Sequence, residues 1–286
     1  MDIDKITKPG RLIFAIAIAA IGAENLICAH VSEIVFTQSP PAVPVLPFVP
    51  PIPILVYLVG VALFAAGACM AVNLRPRSAA ILLGLFFLLC VLVIYAPKAV
   101  ARPRDLNVRT CFFEGLALGA AALTLAGCLQ KEKPGSKTRS PLAGRVTDKL
   151  IALAPYLFAM SSIVFGVTHF LVPQFIASLV PAWIPAGMFW AYLTGAGFIA
   201  AGASIATGIG ARWGAFWLGI MFLLWFLFLH TPRVVIHPRI PAEWSSAFIA
   251  LGMAGGAWIC AWHFLHSQAT RSLGRGPMPN DGQISG

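Results

Sequence analysis

Eight apolar stretches, each close to the length of a membrane crossing and separated by short polar segments, make up most of this 286-residue chain. They fall at about 12–30, 52–73, 78–96, 110–129, 149–171, 186–208, 213–231 and 244–265. A helix needs about 20 apolar residues to cross a hydrocarbon layer about 30 Å thick, and only helices and closed barrels satisfy their backbone there. Composition points the same way: 59% of residues are hydrophobic and 10% charged, with a mean hydropathy of +0.84. A soluble domain carries about 25% charged residues. The fold class expected is an all-α polytopic membrane helix bundle of about eight transmembrane helices.

The formal net charge of +10 does not mark a nucleic-acid binder. Lys and Arg lie in short loops between apolar runs, as determinants of topology do, and form no basic stripe with interleaved aromatics. The lipid bilayer is the expected partner. Six cysteines, Cys28, Cys69, Cys90, Cys111, Cys128 and Cys260, form no C-x-x-C pair and fall almost entirely inside apolar runs. They read as small buried hydrophobes, and no metal site is expected. Lys5, Lys8 and Arg11 precede the first run as in a signal peptide, but no A-x-A site follows and Glu24 interrupts its far end. An uncleaved first helix is expected.

Sorting basic residues by loop sets the orientation. With the N-terminus inside, Lys5, Lys8, Arg11, Arg75, Arg77, Lys131, Lys133, Lys137, Arg139, Arg145, Lys149, Arg212, Arg271 and Arg275 are cytoplasmic. Lys98, Arg102, Arg104, Arg109, Arg233 and Arg239 are outside. Fourteen against six places both termini in the cytoplasm of an inner-membrane protein, and leaves the six outer residues in excess for their side. A proline-rich loop (Ser39, Pro40, Pro41, Pro44, Pro47, Pro50, Pro51, Pro53) separates the first two runs. The polar segment 130–149, broken at Pro134 and Gly135, divides the chain. The expected units are a first four-helix repeat over 1–129, a cytoplasmic linker over 130–149, a second repeat over 150–270 and a disordered tail over 271–286.

An internal repeat supports this division. At an offset of 135 residues Tyr57 meets Tyr192, Gly60 meets Gly195, Gly67 meets Gly202, Arg77 meets Arg212, Gly84 meets Gly219 and Pro97 meets Pro232. Seventeen of the forty-one positions from 57 to 97 are identical. An even number of helices per copy inserts both in the same direction, so a pseudo-twofold axis along the membrane normal is expected. Gly115/Gly119 and Gly252/Gly256 are small-xxx-small pairs that let helices approach closely in lipid.

Ionisable groups at membrane depth are costly, and each is a candidate for function. Glu24, Glu114, His169 and His230 all fall in the outer halves of their helices, and Arg233, His237, Arg239 and Glu243 fill the loop after His230. Together they suggest one outer-facing polar site made of His169, His230, Arg233, Arg239, Glu243, Glu114 and Glu24, supported by Trp183 and Trp190. In the repeat, Tyr95 takes the place of His230, and aligning Gly22 with Gly166 pairs Asn25 with His169 and Glu24 with Thr168. Polar character is kept while its chemistry changes, as in one specialised and one degenerate copy. Each residue also has a plainer reading: a histidine bonded to water or a loop carbonyl, acids paired with the outer arginines, and Trp183, Trp190 and Trp244 as an interfacial belt.

The second half reads G-V-T-H-F at 166–170, V-P-A-W-I-P at 180–185, L-T-G at 193–195 and H-T-P at 230–232, with Arg212 after a Gly-rich second helix. In these motifs it resembles the DoxX-like family of small four-helix bacterial membrane proteins, over residues 150–265 and more weakly over 12–129. The first copy lacks the histidine and the V-P-A-W-I-P string. The resemblance implies work near quinone, as in the membrane subunits of thiosulfate:quinone oxidoreductase, or a role as an accessory factor. The reading that follows is a quinone-associated subunit or accessory component of a membrane oxidoreductase, with quinone as ligand and a soluble or membrane redox partner. A haem variant would use His169 and His230 as axial ligands. The alternatives are a non-enzymatic scaffold or assembly factor, and then a small-molecule transporter.

Overall fold

The computed structural model describes residues 3–35, 53–129 and 141–273, and every regular element among them is helical. In chain order these are α1 (Ile3–Val35), α2 (Pro53–Ala71), α3 (Pro76–Cys90), α4 (Ala96–Ala101), α5 (Leu106–Cys128), α6 (Pro141–Leu171), α7 (Pro173–Leu179), α8 (Gly187–Thr207), α9 (Ala211–Trp225), α10 (Thr231–Ile236) and α11 (Pro241–Leu273). Seven segments are long and apolar enough to cross a membrane; the remaining apolar helix, Val56–Ala71, is shorter. The proline-rich loop as far as residue 52 and residues 130–140 of the expected linker lie outside the described residues, whereas Pro53 opens α2. Two boundaries differ from expectation. Residues 141–149, read as linker, are the first turns of α6, because Pro141 suits the first helical position and Pro134 and Gly135 fall before it. Likewise α11 runs to Leu273, two residues past the expected start of the tail.

Helices α1, α3, α6 and α9 run toward one face of the bundle, called here the exit face, and α2, α5, α8 and α11 return from it. The boundaries recur along the chain: Ala211 lies 135 residues after Pro76, and the same interval separates the starts of α4 and α10 and of α5 and α11. Even the turns entering α3 and α9 correspond. Asn73 and Arg75 hold left-handed backbone in the first, and Gly208 and Gly210 in the second.

Helices in lipid gain nothing from leaving water, so they associate by close packing. Glycine supplies the approach. A Cβ on Gly22 would stand 2.3 Å from the Phe64 amide nitrogen, and one on Gly67 2.5 Å from that of Ala19, so α1 and α2 touch backbone to backbone. Between α6 and α8, Gly166 faces the Gly195 carbonyl and Gly202 the Ala159 carbonyl in the same manner. Helices α5 and α11 lie side by side at the centre, where Gly252 meets Leu118 and Gly256 meets Ala121. Each is clasped by the other half's first helix: α11 by α1, where Gly255 faces the Phe14 backbone, and α5 by α6, where Gly127 meets Ile151. The core around them is built largely from Ala, with Phe14, Phe158 and Phe198 as its bulkiest fully buried side chains.

One feature of both halves was not expected. Helices α3 and α9 do not stop at the exit face but pass through one π-helical turn, Val91–Tyr95 and Phe226–His230, into α4 and α10. Proline at 97 and 232 has no N–H and crowds the preceding turn, and the wider π turn makes room for it. The Ala96 amide accordingly bonds the Val91 carbonyl and the Thr231 amide that of Phe226, five residues back. Each π turn ends on a polar ring, Tyr95 or His230.

Gly22→Val is expected to lower stability by about 1–3 kcal/mol through overpacking, read as a fall in thermal midpoint in detergent. Gly144→Ala, which meets nothing within 4 Å, should leave the midpoint unchanged or raise it.

Candidate functional site

The polar residues singled out from the sequence do reach the exit-face half, but they separate there into three groups. His169 is the most enclosed, at 4% exposure. It sits one turn after Gly166, and Gly195 of α8 leaves space for it: a Cβ there would stand 2.7 Å from the His169 Cβ. Its Nδ1 lies 2.7 Å from the Phe165 carbonyl oxygen. A carbonyl can only accept, so Nδ1 carries the hydrogen and donates it. That leaves Nε2 with a bare lone pair, buried and without a hydrogen-bond partner. The imidazole stacks on Trp225 at 5.5 Å with 26° between the planes and leans on Phe198 at 5.2 Å. Asn25, its counterpart in the first half, donates to the Ile21 carbonyl at 2.8 Å in the same i−4 pattern. So the back-bond is common to both halves, and the free Nε2 belongs to the second alone.

The second group is His230 with Arg233 and Glu243. The Arg233 Nε and Nη2 donate to the two Glu243 carboxylate oxygens at 2.8 and 2.9 Å, a bidentate pair tying α10 to the start of α11. His230 lies within electrostatic reach of both, and its Nδ1 is buried without a partner. No hydrogen bond or ring contact joins His230 to His169 among the described residues. Arg239 stands apart, exposed in the turn after α10.

The acids form the third group, on the first half. Glu24 Oε1 accepts a hydrogen bond from Ser245 Oγ of α11, and Oε2 is buried and unpartnered. Ser245 also lines a cavity of about 60 Å³ between α1, α3, α5 and α11, with Tyr95, Cys111 and Glu114 on its wall. Such a volume admits water. No ion pair joins Glu24 or Glu114 to an arginine among the described residues, so the reading of these acids as partners of the outer arginines fails. Arg109, the nearest such residue in sequence to Glu114, has its Nε and Nη2 buried without partners. Tyr95, Cys111 and Ser245 were not singled out as site residues; for Tyr95 alone the sequence carried a signal, its repeat pairing with His230.

On the second half, a groove of about 980 Å³ runs between α7, α8 and α9, almost wholly apolar. Trp190, Trp213, Trp217 and Trp225 line it, so Trp225 touches His169 with its ring and also borders the groove. Val180, Pro181 and Ile184 form its lip at the exit face. Trp183 and Trp190 thus differ in role. Trp183 lies exposed against Phe228, whereas Trp190 lines the groove and donates from Nε1 to the Pro185 carbonyl at 3.1 Å.

In a double-mutant cycle, Arg233→Gln and Glu243→Gln are expected to show a coupling of about 1 kcal/mol, since the glutamate is 11% exposed and the arginine 39%. Additive losses in thermal stability would show that the pair does not hold α10 to α11.

Comparison with protein-family models, with curated proteins and with solved structures finds no match to this chain.

Proposed function

We propose that this protein is a DoxX-like, quinone-associated subunit or accessory component of a membrane oxidoreductase. In this reading it is built of two tandem four-helix repeats, stands in the inner membrane with both termini in the cytoplasm, and turns its exit face to the periplasm. The observation that carries the reading is His169: a buried imidazole with a free acceptor nitrogen, behind a tryptophan that walls a groove open to the lipid. The DoxX-like motifs gather around that place. G-V-T-H-F supplies His169, V-P-A-W-I-P the groove lip, and H-T-P the end of the second π turn.

The chemistry follows from the tautomer. With Nδ1–H committed to Phe165, Nε2 can accept a hydrogen bond but not donate one. A quinone carbonyl offers no hydrogen, whereas a quinol hydroxyl does, so the site favours the reduced ligand. Quinol oxidation releases two protons and two electrons: Nε2 accepts the first proton, the second passes to water at the exit face, and both electrons pass to a redox partner. Trp225 stands between Nε2 and the groove, so a quinol in the groove reaches Nε2 only as the indole turns aside.

A scaffold role has its own support in the exit face. Lys98, Arg102 and Arg104 follow α3, and Arg233, His237 and Arg239 follow α9 at matching positions, in turns with the same hydrogen bonds: Arg102 N to Lys98 O and His237 N to Arg233 O, both at 2.8 Å. Two like basic loops on one face suit an acidic docking partner.

His169→Asn tests the first reading, because asparagine keeps the back-bond as Asn25 does but removes Nε2. In nanodiscs, a short-tailed quinone should quench tryptophan fluorescence saturably, and its quinol should compete about tenfold more tightly than the quinone binds. In His169→Asn that preference should vanish. Unsaturable quenching, the same in both proteins, would reject the reading.

A further inference from the structure

The polar groups that the quinone reading does not use gather in the first half. The cavity between α1, α3, α5 and α11 has a mixed polar wall: Tyr95 from the π turn, Cys111 and Glu114 from α5, and Ser245 from α11. Helices α1 and α2 add only Ile21 and Leu63. Tyr95 is 8% exposed and Ser245 2%, so buried side chains carry both hydroxyls. The Tyr95 hydroxyl faces the Cys111 thiol, and Glu114 lies within electrostatic reach of both. Cys90 also lines the wall, and Lys98 stands over the Tyr95 ring at 5.8 Å. With Glu24 beyond Ser245, these are the titratable groups around the cavity among the described residues.

The Glu24–Ser245 bond by itself would be a fastening of α1 to α11. It does not account for Glu114, which makes no hydrogen bond among the described residues. A carboxyl group at membrane depth without a protein partner needs water or a bound proton. One water needs about 10–15 Å³, so the cavity's 60 Å³ or so holds several, and its wall offers them polar partners. The wall also leads outward. Cys111 Sγ lies 3.9 Å from Oδ1 of Asn107, which is exposed in the first turn of α5 at the exit face.

Ser245 stands between the cavity and Glu24. Its Oγ is in hydrogen-bond contact with Glu24 Oε1 and lies 3.2 Å from the Pro241 carbonyl oxygen. A hydroxyl has one hydrogen and two lone pairs, so it donates to one of these acceptors at a time. While it donates to a Glu24 carboxylate, its oxygen is free to accept from water on the cavity side. While it donates to Pro241, it can accept from a protonated Glu24. The hydroxyl can therefore receive a proton on one side and release one on the other.

We propose that this cavity is a proton-transfer site, in which water passes a proton from the exit face to Glu114, and water and Ser245 pass it on to Glu24. In the inner step the Glu114 carboxyl gives its proton to a cavity water. That water gives one of its own to Ser245 Oγ, and Ser245 gives its hydrogen to Glu24 Oε1. Water and hydroxyl each lose one O–H bond and gain one, so the net change is a Glu114 carboxylate and a protonated Glu24, and no electron moves. Exit-face water near Asn107 then restores the proton on Glu114. The site uses neither His169 nor the groove, and it stands whether or not quinone binds.

Infrared spectra of the full chain in nanodiscs, at a pH low enough to protonate both acids, test this. A protonated carboxyl is read by its C=O stretch, which moves to lower frequency once its proton has exchanged for deuterium. Glu24→Gln and Glu114→Gln assign the two bands. After transfer to D2O the Glu114 band should shift first and the Glu24 band after it. Ser245→Ala should slow the Glu24 shift about a hundredfold and leave that of Glu114 as it was. Ile249→Phe, which takes the place of cavity water and keeps both carboxyls, should slow the Glu24 shift as well. An unchanged thermal midpoint shows which of the two variants is folded, and slowing in either folded variant upholds the proposal. Glu24 exchange at the wild-type rate in the folded variants would overturn it and leave Glu24 and Ser245 as a fastening. Loss of both bands on adding sodium, but not potassium, at constant pH would overturn it in favour of a cation site.

Discussion

Backbone contact between helices is the constraint on which the rest of this structure depends. In hydrocarbon the apolar face of one helix is no better placed against another helix than against lipid tails, so only close packing and polar contacts hold a bundle together. Gly22 with Gly60, and Gly166 with Gly195, let α1 meet α2 and α6 meet α8 at near-minimal separation. The second of these crossings also sets the chemistry. Gly195 faces both the Gly166 region and the Cβ of His169, so the residue that permits the helices to touch also leaves the imidazole its space. A larger side chain at 195 would press the histidine away from Trp225. Site and scaffold therefore share an atom-level requirement.

The π turns act in the same double way. A proline one turn from the end of a long helix would normally stop it or bend it. Here the extra width of one π turn absorbs Pro97 and Pro232, and each helix continues as a short exit-face segment, α4 or α10. That continuation brings Arg233 back over Glu243, and Lys98 over the Tyr95 ring at 5.8 Å. Thr231 adds a side-chain bond to the Phe226 carbonyl at 2.7 Å, satisfying an acceptor that the wider turn loosens. Proline thus fixes where the basic residues of the exit face stand relative to the aromatic or imidazole ring below them.

Much of this was legible in the sequence, because its main signals are one-dimensional. Apolar run length reports spans, and an ungapped match at 135 residues finds Tyr57, Gly60, Arg77 and Pro97 at positions where the elements recur. Pairing Asn25 with His169 was readable from Gly22 and Gly166, and both side chains make the same i−4 bond. The partition of the polar residues was not readable. Depth along a helix follows from sequence position, but the direction a side chain faces follows from packing; Glu24 turns toward Ser245, 221 residues away in the chain. The helical periodicity that would have shown it is weak here, since a helix apolar on every side, such as α2, marks no inner face. The groove was hidden for a related reason. A tryptophan at a membrane boundary looks the same in sequence whether it lies in the belt, as Trp183 does, or lines a channel, as Trp190 does.

The two halves hold different kinds of open volume. The first half turns its polar groups inward: Glu114, Tyr95 and Cys111 border a small cavity that Ser245 of the second half helps to close. Carboxyl groups at this depth are costly unless water or hydroxyls reach them, and this cavity admits both. In the second half the matching positions are apolar or short, Ile249 for Glu114 and Thr168 for Glu24, while tryptophan replaces Leu82 and Cys90. Its polar group instead faces an aromatic wall, and its open volume faces lipid. Among the described residues the first half thus holds a small cavity with a carboxyl group on its wall, and the second half a large apolar groove.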